Sequence, residues 1–170
     1  TMLFDHEILF LHDRVRLEKV RPITGHEYWA RGNTALYDAV GTGITHLQKV
    51  HRYIRPEDVP GHVVVVITTD GYENASTAYT ASMVQELITA QRQKGWEFIF
   101  LGADIDARSV ADTLNIDADM AFSVDKNGES ARDCLLFVGA ACAAPSGVDK
   151  AELKKNLKKH LRDRKADADA

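Results

Sequence analysis

The sequence predicts an α/β fold with a largely parallel sheet and helices on both faces. Two observations carry this. Runs of β-branched and aromatic residues, VVVVITT at 63–69 and WEFIFLGA at 96–103, alternate with segments of helical periodicity. Neither run sustains a polar alternation, the pattern of strands buried on two sides in a parallel sheet. The chain has 170 residues, enough for one domain that buries a core without cross-links.

In chain order, Leu3–Phe4 and Ile8–Leu11 read as two short strands joined by a turn at Asp5-His6-Glu7. They suggest an antiparallel hairpin at a sheet edge. Pro22 and Gly25 punctuate a loop. Residues 35–52 place Leu36, Val40, Ile44, Leu47 and Val50 at helical spacing, with Asn33 or Thr34 able to cap the start. Gly41 and Gly43 weaken this helix by about 1 kcal/mol each, so each is expected where something packs closely. Residues 63–69 follow as a strand expected to be buried on both faces. Thr80 to Lys94 reads as a helix with Met83, Val84, Leu87 and Ile88 inward and Gly95 past its end. Residues 96–103 form a strand, 106–114 a short helix capped by Asp106, and 120–124 a last strand. Residues 129–143 form an apolar helix with Ala131, Cys134, Leu135, Val138 and Ala141 on one face. The pattern is Rossmann-like.

Residues 149–170 carry eight Lys/Arg against five Asp/Glu, leaving a net −7 on residues 1–148. The division expected is therefore a domain over 1–148 and a basic helical tail, partly disordered, over 149–170. Asp149 and Glu152 resemble a capping box, and Leu153, Leu157 and Leu161 form a narrow stripe without an aromatic residue. The overall charge of −4 gives no support to nucleic-acid binding. No apolar run reaches membrane-spanning length and no signal peptide is present, but the chain opens at Thr1 inside an apolar run, so the missing signal says little; the location expected is the cytoplasm. Cys134 and Cys142 have the wrong spacing for a bridge within one helix.

Chemistry concentrates in two short segments. Asp70 directly follows the β-branched strand, at the carboxyl-end rim where open α/β sheets bind ligands. An Asp-Gly pair also turns a chain, and the two readings weigh equally on position alone. In RGNTALYDAV, 31–40, Thr34 stands at a helix start. Its hydroxyl either caps the helix or ligates a cation. Glu73 and Asn74 read as loop-ordering residues, Asp38 as a carboxylate favourable to the helix dipole, Asp104 as a rim residue and Asp106 as a cap. The seven histidines lack zinc spacing. No nucleophile elbow, P-loop or dinucleotide-binding glycine motif occurs.

Taken together, GNTALYDA and ITTDGYEN resemble two loops of the von Willebrand factor type A domain, and WEFIFLGADIDA resembles the strand that follows in its bacterial members. The likeness covers about residues 1–144. It implies a metal-ion-dependent adhesion site with Thr34 and Asp70 as ligands, Mg2+ or Mn2+ as the ion, and a protein partner that supplies a carboxylate. It implies a binding module, not an enzyme. The family's Asp-x-Ser-x-Ser loop, which follows its central first strand, is absent from these residues. That strand is therefore expected to be missing, through loss of an upstream piece or degeneration of the site, with truncation favoured. Metal binding is then expected to be weak or absent. The gap is expected to leave two open strand edges, and with them either low stability of the chain alone or pairing with another chain. The alternatives are a scaffold with a non-functional metal site and a metal-assisted hydrolase.

Overall fold

Alternation along Trp96–Ala103 sets the layers. The computed structural model describes residues 1–28, 32–124, 129–144, 148–149, 152 and 155. Strand β4 (Trp96–Ala103) is buried along nearly its whole length. Its Trp96, Phe98 and Phe100 face one layer, and Ile99 and Leu101 face the other. It is the central strand of a three-stranded parallel sheet, flanked by β3 (Val63–Thr69) and β5 (Ala121–Val124). The β3–β4 register runs from Val63 opposite Trp96 to Thr69 opposite Gly102.

Helices cover both faces, as the sequence predicts. On one side lie α1 (Leu36–Tyr53), α2 (Ala81–Arg92) and α3 (Ala107–Thr113). Their Leu36, Val40, Ile44, Val84, Ile88, Ala107 and Ala111 pack on Ile67, Phe98 and Phe100. On the other side α4 (Glu129–Ala143) brings Cys134, Phe137 and Ala141 onto Ile99 and Leu101. The architecture is Rossmann-like α/β. Among the described residues no helix is long and apolar enough to cross a membrane.

The hairpin forms, but it does not join this sheet. Strands β1 (Met2–Phe4) and β2 (Ile8–Phe10) make a separate antiparallel pair. Asp5 Oδ1 accepts the Glu7 N–H across the turn at 2.6 Å. Phe4 packs against the same core cluster as Val63 and Val65, so the hairpin docks on the helical layer without pairing with β3.

Three expectations need correction. Strand β3 is not buried on both faces, since Val66 and Thr68 on one face are exposed, and among the described residues it pairs with β4 alone. A β-branched run records what a strand could bury, not whether a neighbour is there. Met83 is exposed, because the inward stripe of α2 is Val84, Ile88 and Gln91. Leu135 is exposed because α4 turns Cys134, Phe137 and Ala141 inward. The close approaches at the α1 glycines do occur. A Cβ on Gly41 would collide with the Tyr79 ring, and one on Gly43 would lie 3.3 Å from Met2 Cε. In the tail, the Glu152 N–H reaches Asp149 Oδ1 at 3.4 Å. The leucine stripe lies outside the described residues.

Candidate metal-site rim

In a parallel sheet the strand ends align, so the chain leaves β3 at Asp70 and β4 at Asp104 on the same rim. The start of α1 meets the loop after β3 there. Its first N–H groups have no partner inside the helix. Neither Asn33 nor Thr34 supplies one: the cap position is Ala35, without a side-chain hydrogen bond. The partners come instead from the 71–79 loop. Glu73 Oε2 accepts the Tyr37 N–H at 2.9 Å, and Ser76 Oγ accepts the Asp38 N–H at 3.0 Å. The cap that Asn33 or Thr34 could have supplied is thus replaced by groups 36 and 38 residues downstream of the N–H groups they accept.

The contact is reciprocal. Asp38, in the first turn of α1, accepts the backbone N–H groups of Thr77 (2.8 Å), Ala78 (2.9 Å) and Tyr79 (2.7 Å). Glu73 also accepts the N–H groups of Ala75 (2.9 Å) and Ser76 (2.7 Å), and the Ser76 hydroxyl at 2.7 Å. Asn74 completes the join. Its Oδ1 accepts the Thr34 N–H at 2.8 Å, and its own N–H donates to Thr34 O at 3.0 Å. Behind this, the Tyr79 ring lies against Gly41 and its hydroxyl meets Thr45 at 3.2 Å.

The electrostatics follow from these bonds. Burial raises the Asp38 pKa, but the Thr77, Tyr79 and Ala78 N–H groups outweigh it and hold it below the ordinary 3.8. Burial likewise raises Glu73, and its N–H and hydroxyl donors bring it below 4.5. Burial, with the Glu73 charge beside it, pushes the Tyr37 phenol above 10.0. Both carboxylates are ionised and already engaged by donors.

Thr34 and Asp70 differ from them. The Thr34 hydroxyl lies against Gly71, where a Cβ would sit 2.7 Å from Oγ1. Asp70, next in the chain, is exposed, and no described residue bonds its carboxylate. The structure therefore brings the Thr34 hydroxyl to the residue beside Asp70. Asp106 caps α3, accepting the Ser109 N–H at 3.1 Å, and its own N–H donates to the Tyr72 hydroxyl. Asp104 sits on the rim with φ of 57°. Among the described residues no group of three or more His, Cys, Asp or Glu side chains could hold a metal ion.

Comparison with family models, curated proteins and solved structures returned no match. The reading of this rim thus stands on its own residues. Sequence reasoning placed Glu73 and Asn74 correctly as loop-ordering residues. It missed Asp38 and Ser76 as their counterparts. The one local signal was an acidic residue in the first helical turn, which pointed to the dipole rather than to a distant loop.

Proposed function

We propose that this chain is a protein-binding module of the von Willebrand type A kind, in which Thr34 and Asp70 hold a divalent cation. The observation that supports it is the position of the Thr34 hydroxyl, not used as a helix cap and set beside the Asp70–Gly71 peptide. A hydroxyl and a carboxylate are hard oxygen donors, the set that suits Mg2+ or Mn2+. They supply two of about six positions and one formal charge, so binding by these residues alone is weak. When bound, the cation offers an open position to a carboxylate of the partner protein. The 71–79 loop and the start of α1 hold the two donors in place. In this reading the chain is not an enzyme. Among the described residues no strand pairs with the β3 edge away from β4, which leaves room there for the family's first strand with its Asp-x-Ser-x-Ser loop.

The second reading is a scaffold with a non-functional metal site. In its favour, the other two carboxylates joining these segments, Asp38 and Glu73, are already saturated with donors. A Mn2+ titration followed by electron paramagnetic resonance separates the two. The binding reading expects weak uptake that falls when Asp70→Ala or Thr34→Val is introduced. If the parent takes up no more Mn2+ than either variant, that reading is wrong.

A further inference from the structure

Residues 13–28 are exposed without interruption. Among the described residues, every hydrogen bond made by 14–28 is local. Arg14 reaches Asp13 at 3.2 Å, Lys19 N–H reaches Arg16 O, Val20 N–H reaches Leu17 O, and Thr24 bonds Glu27. None of these residues packs into either core cluster, and Leu17 is 84% exposed. The ends, by contrast, are anchored. Asp13 pairs with His46 of α1 at 2.9 Å, and Thr34 is joined to Asn74. Residues 14–28 are a strap that leaves the first of these fixed points, and they carry Arg14, Arg16, Lys19 and Arg21.

An endoprotease takes its substrate as an extended stretch, so it cuts where the chain can be drawn out at small cost. Extending this strap breaks one single-turn 3-10 helix, Leu17–Lys19, and no described tertiary hydrogen bond. Arg16 and Val20, on either side of that turn, already have extended backbone. Lys49, Arg52, Arg92 and Arg108 lie within helices, which must unwind before they can be cut. Arg21 precedes Pro22, whose ring hinders cleavage of that bond.

We propose that residues 14–20 are a processing site for an Arg/Lys-directed endoprotease, which cuts after Arg14, Arg16 or Lys19 and leaves the fold intact. The step is hydrolysis. The peptide C–N bond breaks, water's hydroxyl goes to the carbonyl carbon of the basic residue, and its proton goes to the new amine. The hairpin then stays attached without a covalent link. His46 holds it through Asp13 and the Phe10 ring (centroids 4.7 Å apart), and Asp5 O holds it through the Ala35 N–H at 2.6 Å. That last bond supports the residue beside Thr34, so cleavage makes the support of the rim reversible.

The test is limited trypsin digestion of the full chain, with intact-mass readout over time. Cuts after residues 14, 16 or 19 are expected on the order of 100-fold faster than cuts after 49, 52, 92 or 108. The triple variant Arg14→Gln, Arg16→Gln, Lys19→Gln is expected to lose the early fragments and keep the parental melting temperature. The proposal is overturned if the strap bonds are cut no faster than the helical ones, or if the triple variant gives the same early fragments. Neither result bears on Mn2+ binding.

Discussion

Replacing Asp38 by Asn tests whether the carboxylate between α1 and the 71–79 loop holds the rim together. Asp38 is 8% exposed and accepts three backbone N–H groups. Asn keeps the shape, removes the charge and exchanges one oxygen for an NH2 group. With Oδ1 retained for Ala78 and Tyr79, the Thr77 N–H faces a donor instead of Oδ2. One charge-assisted bond is lost and two are weakened. At about 1.5–3 kcal/mol for a bond to a charged group, less what water recovers at the loop surface, the cost is about 2–3 kcal/mol. For a chain of this length that lowers the melting temperature by roughly 5–10 °C. Circular dichroism melts and urea titrations of parent and variant read it directly. The pH dependence has a fixed sign. The Asp38 pKa is lowered below 3.8 in the folded state, so its stabilisation is complete above that value and fades as pH falls through the folded pKa. The difference between parent and variant should therefore be full at pH 7 and shrink below about pH 4. A cost under about 0.5 kcal/mol at pH 7, or a difference that stays constant into acid, would refute the reasoning.

Gly41→Ala should destabilise by about 1–3 kcal/mol, because its methyl group enters the Tyr79 ring and forces the ring off Thr45; near-ultraviolet circular dichroism should show tyrosine signal lost before the fold melts. Gly71→Ala should push against the Thr34 hydroxyl, and Thr34→Ala in the same chain should recover part of the loss; additive effects in the double-mutant cycle would disprove the contact. The open edge of β3 should promote self-association as concentration rises. Val66→Lys should suppress this in light scattering without lowering the melting temperature, since Val66 is exposed.

The elements that were legible in the sequence carry their own pattern. WEFIFLGA alternates between two buried faces, and its bounds coincide with β4. The Asp106 cap lies next to the N–H groups it serves. What stayed hidden depends on partners far along the chain. Whether β3 is central or marginal depends on a neighbouring strand, and no periodicity within VVVVITT encodes that neighbour. Thr34 looked like a cap because a Thr before a helix usually is one. It is displaced because Glu73 and Ser76 reach the same N–H groups from 36 and 38 residues away. Helical spacing alone puts Leu135 beside Cys134 and Met83 beside Val84 on an inward face, whereas the buried stripe is narrower and passes to Phe137 and Gln91.

The division of labour among the three carboxylates explains why the rim can remain both rigid and open. A carboxylate that accepts several N–H groups has its lone pairs aimed at fixed dipoles, and its negative charge is largely compensated. Asp38 and Glu73 are in that state, so they bind the loop to the helix and offer little to a cation. Among the described residues no such donor reaches Asp70, and its side chain is exposed. Had Asp70 been turned inward in place of Glu73, the loop would be equally well tied but the rim would have lost its exposed carboxylate. Had Asp38 been absent, Asp70 would sit on a loop held from one side only. The two engaged carboxylates thus fix the backbone on which Asp70 and the Thr34 hydroxyl stand. Under the proposed reading, a cation site built from them would need little reorganisation on binding, and its affinity would be limited by the number of oxygens rather than by the ordering of the loops.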